Sequence, residues 1–269
     1  MSKDQESQSP AILTEVSEGI GTLTLNRPDT LNAMTPAFMA EMRTALADLA
    51  GNGEVRVIVI TGTGRGFSSG GDKDFLEDIT RMTPFQIKSA VYENFQGAVK
   101  AVKLCPKPTI AAVNGPAAGA GCELAIACDF RIAAESAFFM ESWVHLGIIA
   151  PLGGMLLLPR LIGLGRAQEM LMLGKRVEAA EALRIGLVSD VVPDRQLAEE
   201  ARDLARQLAA GPALAYTAFK EGIRRGMEST LNAEWEYGVN MQAMLLNSGD
   251  FAEAVAALRE KRKPVFKGT

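Results

Sequence analysis

Thr109-Ile-Ala-Ala-Val-Asn-Gly-Pro-Ala-Ala-Gly-Ala-Gly-Cys-Glu-Leu-Ala-Ile-Ala-Cys-Asp129 reads as a buried strand, a tight turn, and a helix with a carboxylate in its first turn. Pro108 introduces the apolar run Ile110 to Val113, and Asn114-Gly115-Pro116 breaks it. Gly119, Ala120 and Gly121 have almost no side chain, so a ligand can approach their backbone closely. Leu124 to Cys128 is apolar enough for burial, and Glu123 stands where the helix begins. Free N–H groups and the helix dipole favour an anion at such a start. An anion site beside a carboxylate points to acid–base chemistry on a group that becomes an oxyanion. The competing reading is a plain buried turn with Glu123 as a solvated first-turn residue.

A chain of 269 residues can bury one large core, or one core with a helical appendage. Its 48% apolar and 22% charged residues suit a soluble enzyme. The net charge of −4 argues against a nucleic-acid partner, although a local basic patch can hold a phosphorylated small molecule. Cys105, Cys122 and Cys128 lack CxxC spacing and lie in or near apolar segments, which suits buried thiols in a reducing compartment. His145 is the one histidine, so no His-clustered metal site is expected. Met1 to Ser9 has no apolar segment of the signal-peptide kind, and no uninterrupted apolar run suits a bilayer. The expectation is a cytoplasmic protein with no membrane partner and no metal.

Upstream of the central stretch, residues 1–10 read as a disordered tail. Ile12 to Val16 and Ile20 to Leu25 form a hairpin pattern around Ser17-Glu18-Gly19. Thr35-Pro36 fits the N-cap and first position of a helix whose apolar set is Phe38, Met42, Leu46 and Leu49. Val55 to Ile60 is a strand apolar on both faces, followed by the Gly-rich loop Thr61 to Asp72. Pro84 to Leu104 reads as one helix. Downstream, Phe130 to Ala133, Ala137 to Met140 and Leu187 to Val192 read as strands, and the last third is a series of helices punctuated by Gly174, Gly186, Gly211 and Gly249. The division expected is a core over 11–193 and a helical region over 194–269.

Gly62-Thr-Gly-Arg-Gly66 is not GxGxxG, and Gly174-Lys175-Arg176 is not a P-loop. Gly66-Phe-Ser-Ser-Gly70 matches the G-x-S-x-G nucleophile elbow. That fold places an acid between the serine and a late histidine, whereas His145 lies mid-chain, and the short pattern arises easily in Gly/Ser-rich loops. The two Gly-rich loops gain meaning together. Each follows a buried strand, and in parallel packing the C-terminal ends of such strands meet on one edge. One N–H from each loop can then converge on a carbonyl oxygen as an oxyanion hole, where losing one donor costs roughly 3 kcal/mol of barrier.

Phe67-Ser-Ser-Gly-Gly-Asp72 and Ala111 to Asp129 resemble the two signature segments of the crotonase (enoyl-CoA hydratase/isomerase) superfamily. Asn26-Arg-Pro-Asp-Thr-Leu-Asn-Ala-Met34 is similar to its CoA-contacting segment, and Leu146-Gly147, Gly153-Gly154, Leu158 to Gly163, Ala182 to Val188 and Lys261 to Phe266 fit the downstream pattern. The resemblance runs from about residue 12 to the end in one register. It implies an α/β fold, a crotonase-like spiral of ββα units, with a C-terminal helical region that drives assembly into a homotrimer or a dimer of trimers. It implies an acyl-CoA thioester as substrate, with CoA as part of that substrate and no separate cofactor. By position, the oxyanion donors are the amides of Gly71 and Ala120, and Glu123 is the acid/base. CoA is expected near Arg27, Asn32, Ala33 and Asp72, with Lys263, Phe266 and Lys267 of the tail at its adenosine end; the alternative for that tail is a solvated basic terminus.

The pattern is broken at two places. Family hydratases use two carboxylates; the second belongs four residues before Gly147, and Trp143 stands there. The carboxylate that some isomerases place before the Gly153-Gly154 pair is replaced by Pro151. Glu141 and His145 flank Trp143 at two residues each; on an extended segment all three face one side, and on a turn Glu141 or His145 can swing into the site. Both therefore stand as candidate acid–base groups, and Trp143 as a residue shaping a pocket for a bulky or cyclic acyl group; the plainer alternative makes Trp143 packing and Glu141 a surface charge. Tyr92, Gln96 and Trp235 are candidate acyl-pocket residues, although aromatics on helices are mostly core. The activity expected is a hydro-lyase of the enoyl-CoA hydratase type. The alternatives are a CoA-thioester isomerase, a C–C bond hydrolase acting on a cyclic β-ketoacyl-CoA, and a non-enzymatic acyl-CoA binder.

Overall fold

The computed structural model describes residues 10–269. The expected tail over 1–10 lies, but for Pro10, outside the described residues. The chain opens with β1 (Ile12–Ser17) and β2 (Ile20–Leu25), joined by a tight turn in which Glu18 and Gly19 take φ of 55° and 77°. Thr35 then caps α1 (Pro36–Gly51), its hydroxyl accepting from the Phe38 N–H at 3.2 Å with Pro36 in the first turn. The predicted face of Phe38, Met42, Leu46 and Leu49 is buried, together with Met39.

β3 (Val57–Gly62) leads through the first Gly-rich loop to α2 (Lys73–Ile79), capped by Asp72. The predicted helix Pro84 to Leu104 is a continuous helical run made of α3 (Pro84–Ala90), a π-helical segment (Val91–Gln96) and α4 (Gly97–Leu104). β4 (Thr109–Val113), β5 (Ala117–Ala118) and α5 (Ala120–Ala127) are the central stretch, folded as strand, turn and helix. β6 (Phe130–Ala134) and β7 (Phe138–Met140) follow, then a 3₁₀ turn at Ser142–Leu146. Next come α6 (Gly154–Ile162), α7 (Leu164–Leu173), β8 (Val177–Glu178), α8 (Ala179–Arg184) and β9 (Asp190–Val192). β9 is shorter than the expected Leu187 to Val192 because the Leu187 and Val188 amides donate back to the Ala182 carbonyl, finishing α8. The chain ends with α9 (Leu197–Ala209), α10 (Ala213–Gly226), α11 (Leu231–Leu246) and α12 (Gly249–Glu260).

The main sheet has the order β1-β2-β3-β4-β6-β9. Only the β1–β2 pair is antiparallel; the other four pairs are parallel. A smaller sheet, β5-β7-β8, lies beside it. β4 is buried at all five positions and β3 at its first four, which accounts for their unbroken apolar runs. Asp129 clamps the β4–β6 start: one carboxyl oxygen accepts from the Thr109 N–H (2.8 Å) and hydroxyl (2.9 Å), and it also pairs with Lys220 of α10. Every residue of α5 is buried, so the helix bearing Glu123 runs through the middle of the molecule.

The helical region does not begin as one piece at 194. α9 packs on β2, β3, β4 and β6 and buries Leu197, Ala201 and Ala205, so it belongs to the sheet. Its small alanines let the helix approach the strands closely. α11, by contrast, buries none of its residues, and Trp235 and Val239 are 62% and 71% exposed there. No helix of the described residues is long and apolar enough to cross a membrane.

Candidate active site

Two isolated parallel bridges bring the Gly-rich loops together. Ser68 N–H donates to the Pro116 carbonyl and Ala118 N–H to the Ser68 carbonyl, both at 2.9 Å. Met34 N–H donates to the Gly70 carbonyl (2.7 Å) and Asp72 N–H to the Met34 carbonyl (2.9 Å). From the Ser68–Ala117 bridge, Gly71 and Ala120 each lie three residues further along. The Met34 bridge uses the groups on either side of the Gly71 amide and not that amide itself. Ala120 opens α5, where the first N–H groups have no intrahelical partner. Gly70, at φ 91°, shows how close the loops run: a Cβ there would lie 2.7 Å from the Ala118 carbonyl oxygen and 3.5 Å from the Ala120 nitrogen. Ser68, the elbow candidate, is fully buried; its hydroxyl donates to the Asn32 carbonyl (2.8 Å) and accepts from the Gly70 N–H (3.1 Å). It holds the loop and presents no nucleophile to a cavity.

Glu123 is fully buried one turn into α5. Its Oε1 accepts from the N–H groups of Leu152 (2.9 Å) and Gly154 (2.7 Å), while Oε2 has no partner among the described residues. The competing reading of a solvated first-turn charge is therefore excluded. Glu141, just past the end of β7, is equally buried, and neither of its oxygens has a partner among the described residues. The two carboxyls are neighbours: a Cβ on Gly154 would lie 2.9 Å from Glu123 Oε1 and 3.3 Å from Glu141 Oε1. Glu141 is thus not the surface charge of the plainer reading.

Burial pushes both carboxyls up. Glu123 rises to about 7, held back chiefly by the two backbone donors from Gly154 and Leu152. Glu141 rises to about 8, pushed by burial and then by the neighbouring Glu123 charge. The order follows from the hydrogen bonds: Glu123 has two amides that favour its charged form and Glu141 has none. Of the two, Glu141 is the carboxyl that keeps its proton to the higher pH.

The 3₁₀ turn after Glu141 corrects one expectation. An extended segment would turn Glu141, Trp143 and His145 to one side, but a turn of three residues per revolution separates them. His145 is exposed, and its ring packs where a Cβ on Gly174, at the end of α7, would sit. The structure does not bring His145 to the carboxyl pair. Trp143 instead lines a cavity of about 560 Å³ whose walls include Gly71, Phe75, Tyr92, Phe95 and Leu152. Phe75 and Phe95 stack with ring centroids 5.4 Å apart. Gln96 also lines this cavity, and the π-helical segment forms part of its wall, but Trp235 is elsewhere.

Near the loops, Arg27 donates to the Ala33 carbonyl (2.6 Å) and pairs with Asp72 (3.1 Å). Asn32 is fully buried, and its side chain bonds the Arg27 N–H and the carbonyls of Thr63 and Gly66. Its side chain is taken up by these bonds within the loop. The tail is fastened to its own chain: Glu253 holds Arg262 and the Val265 N–H, and Asp250 holds the amides of Lys267 and Gly268. Lys263 is exposed, and Phe266 lies against residues of α10 and α12 in a separate groove, so neither reaches the aromatic cavity of its own subunit. The Leu152 and Gly154 amides escaped the sequence reading; the Gly153-Gly154 pair is their visible trace. The walls Phe75 and Phe95 escaped it because helical spacing makes them look like core.

A family model described as enoyl-CoA hydratase/isomerase matches residues 15–269. A Rhodobacter capsulatus protein named "Probable enoyl-CoA hydratase" is 39% identical, covering 94% of this chain and 96% of its own. The 1,2-epoxyphenylacetyl-CoA isomerase of Escherichia coli is 37% identical over 96% of this chain and 98% of its own. The crystal structure of an enoyl-CoA hydratase from Bacillus anthracis superposes with a TM-score of 0.91 at 34% identity, covering 97% of this chain and all of that one. With its paired Gly-rich loops and its mixed α/β architecture, the chain belongs to the enoyl-CoA hydratase/isomerase family, and its fold is that of the crotonases.

Proposed function

We propose that this enzyme is a hydro-lyase that adds water across the 2,3 double bond of an enoyl-CoA, with Glu123 and Glu141 as the acid–base pair. The observation that carries this reading is Glu141: a second carboxyl, buried beside Glu123 with both oxygens unpartnered among the described residues, two positions before the place where Trp143 stands. The thioester carbonyl lies between the amides of Gly71 and Ala120. Ionised Glu123 takes a proton from water through Oε2 as the water oxygen bonds C3. The C2=C3 electrons move to C1–C2 and charge the thioester oxygen, which the two amides stabilise. Protonated Glu141 then gives its proton to C2 and the carbonyl re-forms. One proton has left water and one has left Glu141, so the pair still holds one proton, now on Glu123, and its transfer back to Glu141 readies the next turnover.

The apolar, aromatic walls of the cavity suit a hydrocarbon or aryl acyl group. CoA enters as part of the substrate, beside Arg27, Ala33 and Asp72, and no separate cofactor takes part. We further propose that the exposed apolar faces of α10 and α11 are covered in a homotrimer or dimer of trimers. The tail residues Lys263 and Phe266 would then meet the adenosine end of CoA in a neighbouring subunit. The enzyme is proposed to work in the cytoplasm.

A second reading is isomerisation, favoured by the shared proton, which can pass between carbons of an enolate without water. Incubation with a panel of 2-enoyl-, 3-enoyl- and cyclic β-ketoacyl-CoAs, followed by mass spectrometry, separates the readings. Gain of one water by a 2-enoyl-CoA is the expected result. Turnover of 3-enoyl-CoAs without water gain would move the assignment to an isomerase. Turnover of the cyclic β-ketoacyl-CoA alone would move it to a C–C hydrolase.

A further inference from the structure

The indole of Trp143 has a place in this site that its position in the cavity wall does not by itself explain. One face of the residue belongs to the cavity. The ring atoms Cε2 and Cζ2 lie 3.7 and 3.8 Å from where a Cβ on Gly119 would sit. Gly119 is the residue before Ala120, and Cε2 is a carbon bonded to the indole nitrogen, so the part of the ring next to the N–H lies beside this turn, with Ser142 Oγ closer still at 3.0 Å. Nε1 is buried and has no hydrogen-bond partner among the described residues. Buried indole N–H groups nearly always have one, because leaving such a donor unmatched is costly.

The surroundings say what that donor is for. Trp143 draws both Glu123 and Glu141 toward their ionised forms, as the buried Cys122 thiol of α5 does for Glu141, so the indole N–H lies near both carboxyls, yet it meets hydrogen-bond geometry with neither. Four unmatched polar atoms gather here: Glu123 Oε2, both Glu141 oxygens and Trp143 Nε1. Three are acceptors when ionised and one is a donor that can never accept. An oxygen that donates to carboxyls and accepts from an indole matches the set.

We infer that the Trp143 indole N–H is a third catalytic group, holding the oxygen that is added to or removed from the β-carbon. The inference rests on the hydro-lyase reading. One lone pair of the water oxygen accepts from Trp143 while the other faces C3, and one hydrogen points to Glu123 Oε2. Trp143 neither gains nor loses a proton; it fixes the direction of attack. A carboxylate at this place would compete for the shared proton, whereas an indole leaves it to the Glu123–Glu141 pair.

The test replaces the N–H and keeps the ring. In Trp143→Phe, kcat should fall about 10- to 100-fold while KM and acyl-CoA binding stay close to wild type. The acidic limb of the kcat profile should shift to higher pH, because a donor that favours ionised carboxyls is gone. Incorporation of benzothienylalanine at 143 keeps the bicyclic shape without the N–H and should reproduce both effects, which covers a Phe variant that packs badly. Wild-type kcat in the benzothienylalanine enzyme, or a raised KM with kcat intact, would overturn the inference and leave Trp143 as cavity wall. Glu141→Gln is assayed in parallel. If that variant keeps its rate, the hydro-lyase pair itself fails; if it loses its rate while the Trp143 variants do not, the Trp143 inference alone fails.

Discussion

Glu123 and Glu141 are buried side by side and are held by opposite means. The first stands on a buried helix, with two amides of the turn at 152–154 clamped on one of its oxygens. The second hangs from the end of a three-residue strand, with no amide on either oxygen. Burial alone would push both up alike. The difference in backbone donors sets their order, which in the proposed mechanism makes one the base and the other the acid at the same pH. Two like carboxyls acquire two tasks from the backbone around them.

Removal of the base is the strongest test of this contrast. Glu123→Gln keeps an acceptor for the Leu152 and Gly154 amides but cannot take a proton. Hydration should fall about 10⁴-fold with acyl-CoA binding nearly unchanged. Wild-type turnover in this variant would end the acid–base assignment. Glu141→Gln should cost about 10²- to 10³-fold, less because solvent can reprotonate an enolate that the hole still holds. In the intact enzyme kcat should be bell-shaped in pH, with its maximum between the two values of about 7 and about 8. Below the lower value the base is protonated, and above the higher one the acid is lost. The residual activity of Glu141→Gln should keep the acidic limb and lose the alkaline one. An unchanged bell would reverse the roles.

A smaller effect is expected from Gly154→Ala, whose new Cβ would crowd Glu123 Oε1 and meet Glu141 Oε1. About a 10-fold loss of kcat with unchanged acyl-CoA binding is the expected outcome. A wild-type rate would show that the carboxyls tolerate displacement. The smallest effect is on stability. The folded pKa of Glu141 lies above its ordinary 4.5, so the stability this group contributes is present below about 4.5 and lost as pH rises toward about 8. Glu141→Gln should therefore raise Tm by a few degrees in mildly alkaline buffer and hardly at all near the lower limit. Equal shifts at both would mean that Glu141 is not buried in its acid form.

Most of the frame could be read from the chain itself. β3 and β4 show unbroken apolar runs because both faces are covered, and Thr35-Pro36 marks a helix start by capping chemistry that acts locally. The two Gly-rich loops stand out in the chain as breaks after apolar strands, whereas the choice of Gly71 and Ala120 within them comes from the family resemblance. The reaction-determining turn was less legible. Glu141, Trp143 and His145 are ordered along the chain by spacing, but a 3₁₀ turn and not a strand decides which way each points. The Asn32 side chain bonds Arg27 five residues away and the carbonyls of Thr63 and Gly66, and the latter two are long-range contacts that no local pattern reveals. The same holds for α9, whose amphipathic pattern does not say which surface it covers.

The two short bridges at Ser68–Ala117 and Met34–Gly71 bear on how a chain of this kind changes over generations. In the proposed mechanism the groups that grip the thioester are main-chain amides held by these bridges, and an ordinary side-chain replacement does not delete them. Two of the groups proposed to select what happens next, Glu141 and Trp143, hang from one turn between Met140 and Gly147, while Glu123 stays on α5. A lineage can therefore rewrite that turn residue by residue and try new reactions while its hold on the activated carbonyl is inherited intact.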